Sequence, residues 1–308
     1  MAGPMNTKTF FQSQTKVVQK TYTRGMQEVP SLFSELFNDY ENDMKRSYMT
    51  LIPYAPLGQA QLKTEGTVPA YDQAIEGPPT TVTFSTYGLG YTYTKEAGIE
   101  DAMNALAELP HMLTYSMQVT YDYLIWNILN LAFSGTATLA DGLSLCNAAH
   151  PLVKIPSSTY SNTGGTVALT PEALVAADIS LLTLPNDAGL PASVTPQFIV
   201  FPPTLSKVVE EINGSPLAPY TSDNRINVQQ GKKVSICSRY LTSNTAFFVT
   251  GAKGRLGLNS HSMFYSFKYR DDQNAWVDPA TQNFNHTAES RLAFSTVDAR
   301  GVWGSQGS

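Results

Sequence analysis

The sequence predicts an α+β fold, and three stretches predict it. Residues 47–95 read as a long strand-like ribbon interrupted by a polar segment. Residues 99–133 keep one helical stripe for more than thirty positions. Residues 166–257 alternate capped helices with short buried strands.

The chain has 308 residues and is 42% hydrophobic, enough for a packed core, which excludes disorder and a disulfide-stapled miniature. Only 15% of residues are charged, against roughly 25% in an ordinary soluble domain. Thr, Ser, Asn, Gln and Tyr must therefore fill the surface, which suits a protein that buries much of its exterior against partners. Net charge is −5 and the pI about 5.4, so no global basic field attracts nucleic acid. The start lacks the apolar core of a signal peptide and no run of about 18 apolar residues exists, so the expectation is a protein made in the cytoplasm with no membrane partner.

Residues 1–30 carry Lys8, Lys16, Lys20 and Arg24, with Glu28 the first acidic residue. Without a sustained apolar period they read as an extended arm. From Pro30 to Met44, Leu32, Phe33, Leu36, Phe37 and Tyr40 share a helical face, with Ser31 as N-cap, giving a short helix within 31–46. In the ribbon, Tyr48–Leu62 and Thr80–Thr94 form a hairpin around KTEGTVPAYDQAIEGPP, and a change of phase at Thr86–Gly88 predicts a bulge or twist in it. Such a ribbon is marginal alone and must lie against something. Next comes the helical beam, with Ile99, Met103, Leu106, Leu113, Met117, Tyr121, Leu124, Ile128 and Leu131 in phase. Pro110 either kinks it or starts a second helix.

An Asp141–Gly142 turn follows, in DGLSLCNAAHPL. In the unit at 166–257, Thr170 caps a helix with the face Leu174, Ala177, Leu181 and Leu182. Gln197–Phe201 is a strand, Pro203 opens a second helix, and Val234–Ser238 and Ala246–Thr250 are further strands. Ser262–Arg270 alternates, turns at DDQNAW and returns through Glu289–Trp303.

Catalytic patterns are absent: no nucleophile elbow, phosphate loop or dinucleotide fingerprint occurs. The glycines of GAKGRLG read as turn residues. His111, His150, His261 and His286 are scattered, and Cys146 with His150 has no second ligand pair, so no catalytic, cofactor or metal site is predicted. The basic arm offers a local positive patch, capable of non-specific contact with nucleic acid.

This order of elements, with the Asp-Gly turn and His-Pro-Leu ending of Asp141–Leu152 and the terminal RLAFSTVDARGVWGS, resembles the major capsid proteins of tailed bacteriophages, the Hong Kong 97-type fold. The resemblance implies an N-terminal arm at 1–30, an extended loop at 47–95, a peripheral domain with a spine helix at 96–165 and 258–308, and an axial domain at 166–257. It implies a structural, non-enzymatic subunit that self-assembles into hexamers and pentamers of an icosahedral head around double-stranded DNA. The expected location is the virion, with assembly in the host bacterial cytoplasm. A separate scaffolding protein, portal and decoration proteins are implied partners. Loops at Gly189–Thr195 and Ser215–Arg225 would meet around the capsomer axes. Candidate inter-subunit contacts are Lys63, Glu65, Tyr71, Tyr87 and Tyr91 on the ribbon and Lys16, Lys20 and Arg24 on the arm. Lys63 sits where some members place a cross-linking lysine, although a loop-tip lysine is ordinarily a solvated device. An encapsulin-like compartment shell is the alternative with the same fold.

Overall fold

The computed structural model of the chain describes residues 7–28, 31–40, 46–101, 105–136, 139–192, 194–219, 225–254 and 260–308. Helix α1 (Thr7–Glu28) stands where the sequence suggests an extended arm. Among its described side chains, 16–28, those packed on the core are Tyr22 and Met26, with Gly25 buried between them, a set that apolar periodicity misses. The short helix α2 (Phe33–Leu36) is one turn, not the predicted four. Leu32 takes the N-cap position expected for Ser31 and makes no side-chain bond. Phe37 is extended, and strand β1 (Asn38–Asp39) pairs in parallel with Phe264 and Tyr265. The apolar side chains Phe33, Leu36, Phe37 and Tyr40 are buried all the same, by a turn and a strand in place of one helix. The rest of that predicted helix, residues 41–45, lies outside the described residues.

The ribbon comprises β2 (Tyr48–Leu51), β3 (Tyr54–Ala55), β4 (Ile75–Glu76) and β5 (Thr80–Thr83). β2 pairs antiparallel with β5 from Tyr48↔Thr83 to Leu51↔Thr80, and β3 pairs with β4. The continuation, β6 (Ser85–Tyr93), leaves the hairpin at the buried Phe84 and joins a different sheet. Its register there is unbroken from Ser85↔Leu292 to Tyr93↔Phe284, so no bulge falls at Thr86–Gly88. The change of phase marks the passage from one sheet to another. Gly90 is needed in that pairing, because a Cβ would stand 2.6 Å from the Thr287 Cγ2.

The beam is divided. α3 (Lys95–Glu100) starts on the Thr94 side chain, which accepts from the Ala97 N–H at 3.2 Å. After a 3-10 turn at Ala105–Glu108, α4 (Leu109–Asn130) begins with Pro110 in its first turn. Of the two options, Pro110 starts a helix. At 1.5 Å per residue α4 runs about 33 Å. Leu113, Met117 and Tyr121 face inward as predicted, but the buried line continues through Ile125 and Leu129 rather than Leu124 and Ile128. Ile99 is exposed, and Met103 lies outside the described residues.

Strands β7 (His150–Pro151) and β8 (Thr159–Tyr160) form a short hairpin. Then follow α5 (Pro171–Thr183), β9 (Pro196–Phe201), α6 (Ser206–Gly214), β10 (Val234–Cys237), β11 (Phe247–Lys253), β12 (Ser260–His261), β13 (Met263–Val277), β14 (Phe284–Thr296) and β15 (Val302–Ser305). Thr170 caps α5, as the sequence indicates, and Leu174, Ala177 and Leu181 are buried while Leu182 is exposed. One sheet has the order β1-β13-β14-β6; the other is β10-β9-β11-β12 with β15 on β11.

Two expectations fail at the C-terminal end. β13 runs straight through DDQNAW, and the reversal occurs at Asp278–Asn283. Asp271 instead has φ +54° at a register shift, a bulge inside the strand. Nor does the returning strand continue to Trp303: β15 crosses to the other sheet and pairs with Phe247–Thr250. The final strand thereby joins the unit at 166–257 to the rest of the chain. α4 packs on the long sheet, with Tyr121 edge-on to Phe267 at 5.2 Å and Trp126 edge-on to Phe37 at 5.4 Å.

Candidate functional site

The ribbon carries a long exposed surface. Every residue from 57 to 76 is exposed. Leu62 is 97% and Tyr71 86% exposed, with Tyr54, Leu57 and Val68 also open. Lys63 and Glu65 stand at the tip beside them. Isolated exposed apolar residues are ordinary, but this many on one two-stranded projection mark an interaction surface.

The ribbon's base is held by polar contacts. Asp72 accepts from the Gly58 N–H at 2.6 Å and from Lys154 Nζ at 2.8 Å. Those donors hold its carboxyl down at about 2. Gly77 donates to the Pro53 carbonyl at 2.7 Å, and a Cβ on Gly77 would stand 2.9 Å from the Pro53 ring. Two clefts of about 250 and 290 Å³ flank Pro53, both reaching Asp187, Asp298 and Arg300. Arg300 Nη2 donates to Asp187 Oδ1 at 2.7 Å and Nη1 to Asp298 Oδ2 at 2.8 Å, and its guanidinium lies over the Tyr160 ring at 4.8 Å. Burial alone would lower its affinity for the proton, but the carboxylates and Tyr160 outweigh that and raise it. The sequence offers no periodic signal for these anchors, because Asp72, Lys154, Asp187 and Arg300 meet only through tertiary folding.

A second polar cluster fixes α1. The Tyr22 and Tyr121 hydroxyls both donate to Asp271 Oδ1 at 2.7 Å, and the Asp271 N–H donates to Ser290 Oγ at 2.6 Å. Burial first, then the Asp271 charge, raises both phenols far above their ordinary range. Tyr22 also meets His286 edge-on at 6.1 Å, and Thr114 Oγ1 donates to the Tyr22 carbonyl at 3.2 Å. The Asp271 bulge is thus where α1, α4 and the long sheet are tied together.

A third cluster ties α2 to α4. Asp122 Oδ1 accepts from the Phe33 N–H at 3.2 Å, doing what the predicted Ser31 cap does not. Burial pushes its carboxyl up to about 6 against the opposing pull of that donor.

The predicted contact residues divide. Lys63, Glu65, Tyr71, Lys16, Lys20 and Arg24 are exposed. Tyr87 and Tyr91 are half-buried against the chain's own core, and Tyr91 meets His286 at 5.3 Å. Of the axial loops, position 193 and residues 220–224 lie outside the described residues; Leu217 bridges to Ile226, both exposed. Part of the GAKGRLG turn, residues 255–259, is likewise outside them.

The Cys146 and His150 pair has a structural explanation. His150 Nδ1 meets Asp141 Oδ2 at 2.7 Å and its ring stacks on Tyr160 at 5.2 Å. Cys146 is buried, which pushes its thiol well up and leaves it unreactive. Among the described residues no group of three or more His, Cys, Asp or Glu is placed to hold a metal ion, and no helix is long and apolar enough to cross a membrane.

The described fold is thus an exposed ribbon, a long helix under a long sheet and a second sheet with its own helices, the last two sharing one core. Residues 77–304 match the sequence profile of the phage capsid protein family. The chain belongs to that family. No curated protein matches this phage capsid protein by sequence. Solved structures do so by shape. One, the capsid of bacteriophage JBD30 decorated with minor capsid protein trimers, aligns at TM-score 0.57 and 11% identity over 70% of this chain and 92% of that one. A structure from Mycobacterium phage Che8 aligns at 0.56 and 14% identity over 91% and 93%. A virus-like particle from Pyrococcus furiosus aligns at 0.52 and 8% identity over 94% and 98%. The fold is therefore of the Hong Kong 97 type, and the protein is a major capsid protein, a structural subunit of a phage shell. The phage family match leaves the encapsulin-like alternative less supported.

Proposed function

We propose that this capsid protein closes into hexamers and pentamers of an icosahedral head around double-stranded DNA, with the ribbon at 48–83 lying on a neighbouring copy. The observation that carries the reading is the exposed apolar surface at Tyr54, Leu57, Leu62, Val68 and Tyr71. Two strands joined by four ladder pairs and a two-residue extension cannot be stable by themselves in water. A second copy, laid against that surface, removes it from water at about 25 cal/mol per Å².

The role is assembly without catalysis. The axial units, residues 166–257, meet around the capsomer axes, and α4 carries the shape of the subunit between its ribbon and axial ends. Assembly takes place in the host bacterial cytoplasm. Scaffolding, portal and decoration proteins are separate partners. Lys63 is a solvated tip residue or, as the less favoured option, a cross-linking one; a monomer band after boiling shells in denaturant excludes the cross-link.

Negative-stain microscopy of the purified protein, alone and with a co-expressed scaffold, tests the reading. Closed shells are expected from the wild type and none from a Leu62→Ser, Tyr71→Ser double variant. Discrete wild-type monomers at high concentration under both conditions would overturn it.

A further inference from the structure

Helix α1 has two chemically different faces. Tyr22 and Gly25 are buried, and Gln118 Nε2 donates to the Met26 sulfur at 2.7 Å. Gly25 lies so close to α4 that a Cβ would stand 3.1 Å from Thr114 Oγ1. These contacts fix the rotation of the helix about its axis. Lys16, Lys20 and Arg24, spaced i, i+4, i+8 on the other side, are consequently held in solvent.

Their charge is concentrated. Residues 1–27 contain four cations and no acid, in a chain whose net charge is −5. Glu28 is shared between Arg24 Nε at 2.8 Å and His111 Nε2 at 3.6 Å, and Asp101 lines a cleft with Val17, Val18 and Thr21 of α1. Arg24 nevertheless keeps 79% of its side chain exposed. Among the described residues, no carboxylate forms an ion pair with Lys16 or Lys20. From Lys16 to Arg24 the stripe runs about 12 Å along the axis.

Duplex DNA carries one charge per about 1.7 Å, so such a stripe meets several phosphates in any register and reads no sequence. Single-stranded nucleic acid is bound on aromatic platforms as well as cations. The described exposed face of α1 has none, since Tyr22 points inward and Val17 is the exposed apolar residue there.

We propose that the outer face of α1 is the surface on which the subunit meets packaged duplex DNA through its phosphates. The proposal rests on the shell reading above, and the helix with the α4 side behind it then faces the lumen.

The test uses the full-length protein with a 20-base-pair duplex of random sequence, followed by fluorescence anisotropy between 50 and 200 mM salt. Three phosphate contacts give a slope of log K against log salt of about −2.7. K16Q/K20Q/R24Q is expected to bind at least tenfold more weakly, and K16R/K20R/R24K to bind as the wild type does. Equal affinity of the charge-removed variant would overturn the proposal. So would a salt slope for the charge-removed variant equal to that of the wild type. In filled particles Lys16 and Lys20 should acetylate more slowly than in emptied ones; equal rates would also overturn it. Shells counted by microscopy for each variant keep the two readings apart, because failure of the shell reading shows as absent particles in the wild type.

Discussion

Along α4, Leu113, Met117, Tyr121, Ile125, Trp126 and Leu129 are buried within this one chain. Between residues 57 and 76, by contrast, every residue is exposed, including Leu62 and Tyr71. The two regions do not differ in having apolar residues; they differ in whether the chain supplies the opposing surface. On the assembly proposed above, the body is finished within one chain and the ribbon is completed by a second copy. Substitutions should therefore sort by region: those in the body act on the folding of the subunit, and those in the ribbon act on assembly.

The largest test of that division is Trp126→Ala. Trp126 is fully buried against Phe37, and emptying such a site costs about 3–5 kcal/mol. Urea denaturation of the unassembled subunit should show the loss directly. Leu62→Ser and Tyr71→Ser should shift the same midpoint by less than about 0.5 kcal/mol, while shell yield collapses. A large loss of subunit stability from Leu62→Ser would remove the distinction.

The next effect in size lies at the junction between the two regions. Arg300→Ala leaves Asp187 and Asp298 facing one another without a counter-charge, beside the clefts that flank Pro53. Removing one member of a buried ion pair costs about 3–5 kcal/mol. The lower end applies, because Asp298 retains a third of its exposure. Asp298→Asn, which keeps the Arg300–Asp187 pair, should cost less in the same melt. If the two variants melt together, the cluster does not work as paired charge.

How far this division was legible beforehand depends on what holds each element. The first half of the α4 face could be read because Leu113, Met117 and Tyr121 repeat with helical spacing. Beyond Tyr121 the buried line shifts to Ile125, Trp126 and Leu129, with Trp126 against Phe37, and a single stripe cannot report a change of neighbour. The ribbon was legible as a projection, but the strand from 80 to 94 conceals its transfer between sheets at Phe84. Helix α1 was illegible because a tyrosine hydroxyl, a glycine and a thioether dock it, and none of these contributes to apolar periodicity. Residues DDQN are typical of turns. Here Asp271 instead accepts two tyrosine hydroxyls from distant helices, which keeps β13 going through a bulge. Lys63, Glu65 and Tyr71 are candidate contacts on the ribbon that the family resemblance suggests and that stand exposed, whereas the anchors Asp72, Lys154 and Arg300 needed the fold.

Acid sharpens the comparison from the body's side, since two buried groups there oppose one another. Burial raises Asp122 to about 6, so between pH 4 and 6 the folded state binds more protons than the unfolded one and this group's contribution falls as pH rises. Burial, with Lys253 nearby, lowers His261 to about 4. The unfolded state then holds the extra proton up to about 6.5, and the contribution of His261 rises with pH. Asp122→Asn keeps an acceptor for the Phe33 N–H but removes the first slope. Relative to wild type it should gain stability from pH 4 to 6 and stay level above. His261→Gln should flatten the rise instead. Parallel pH profiles for Asp122→Asn and wild type would show that Asp122 does not titrate in this window.

The smallest expected effect compares two caps of the same chemistry in different company. Thr170 accepts from the Ala173 N–H at 3.1 Å, and Thr94 accepts from the Ala97 N–H at 3.2 Å. Either Thr→Ala change forfeits about 1 kcal/mol of helix-end stabilisation. α5 is packed through Leu174, Ala177 and Leu181, so its first turn cannot fray without disturbing the core. Thr170→Ala should therefore lower the global urea midpoint. α3 buries none of its residues, so its loss is local. Thr94→Ala should leave that midpoint unchanged and appear only as faster amide exchange at residues 95–100. If Thr94→Ala lowers the global midpoint as much as Thr170→Ala does, α3 is coupled to the body and belongs with the finished part of the subunit.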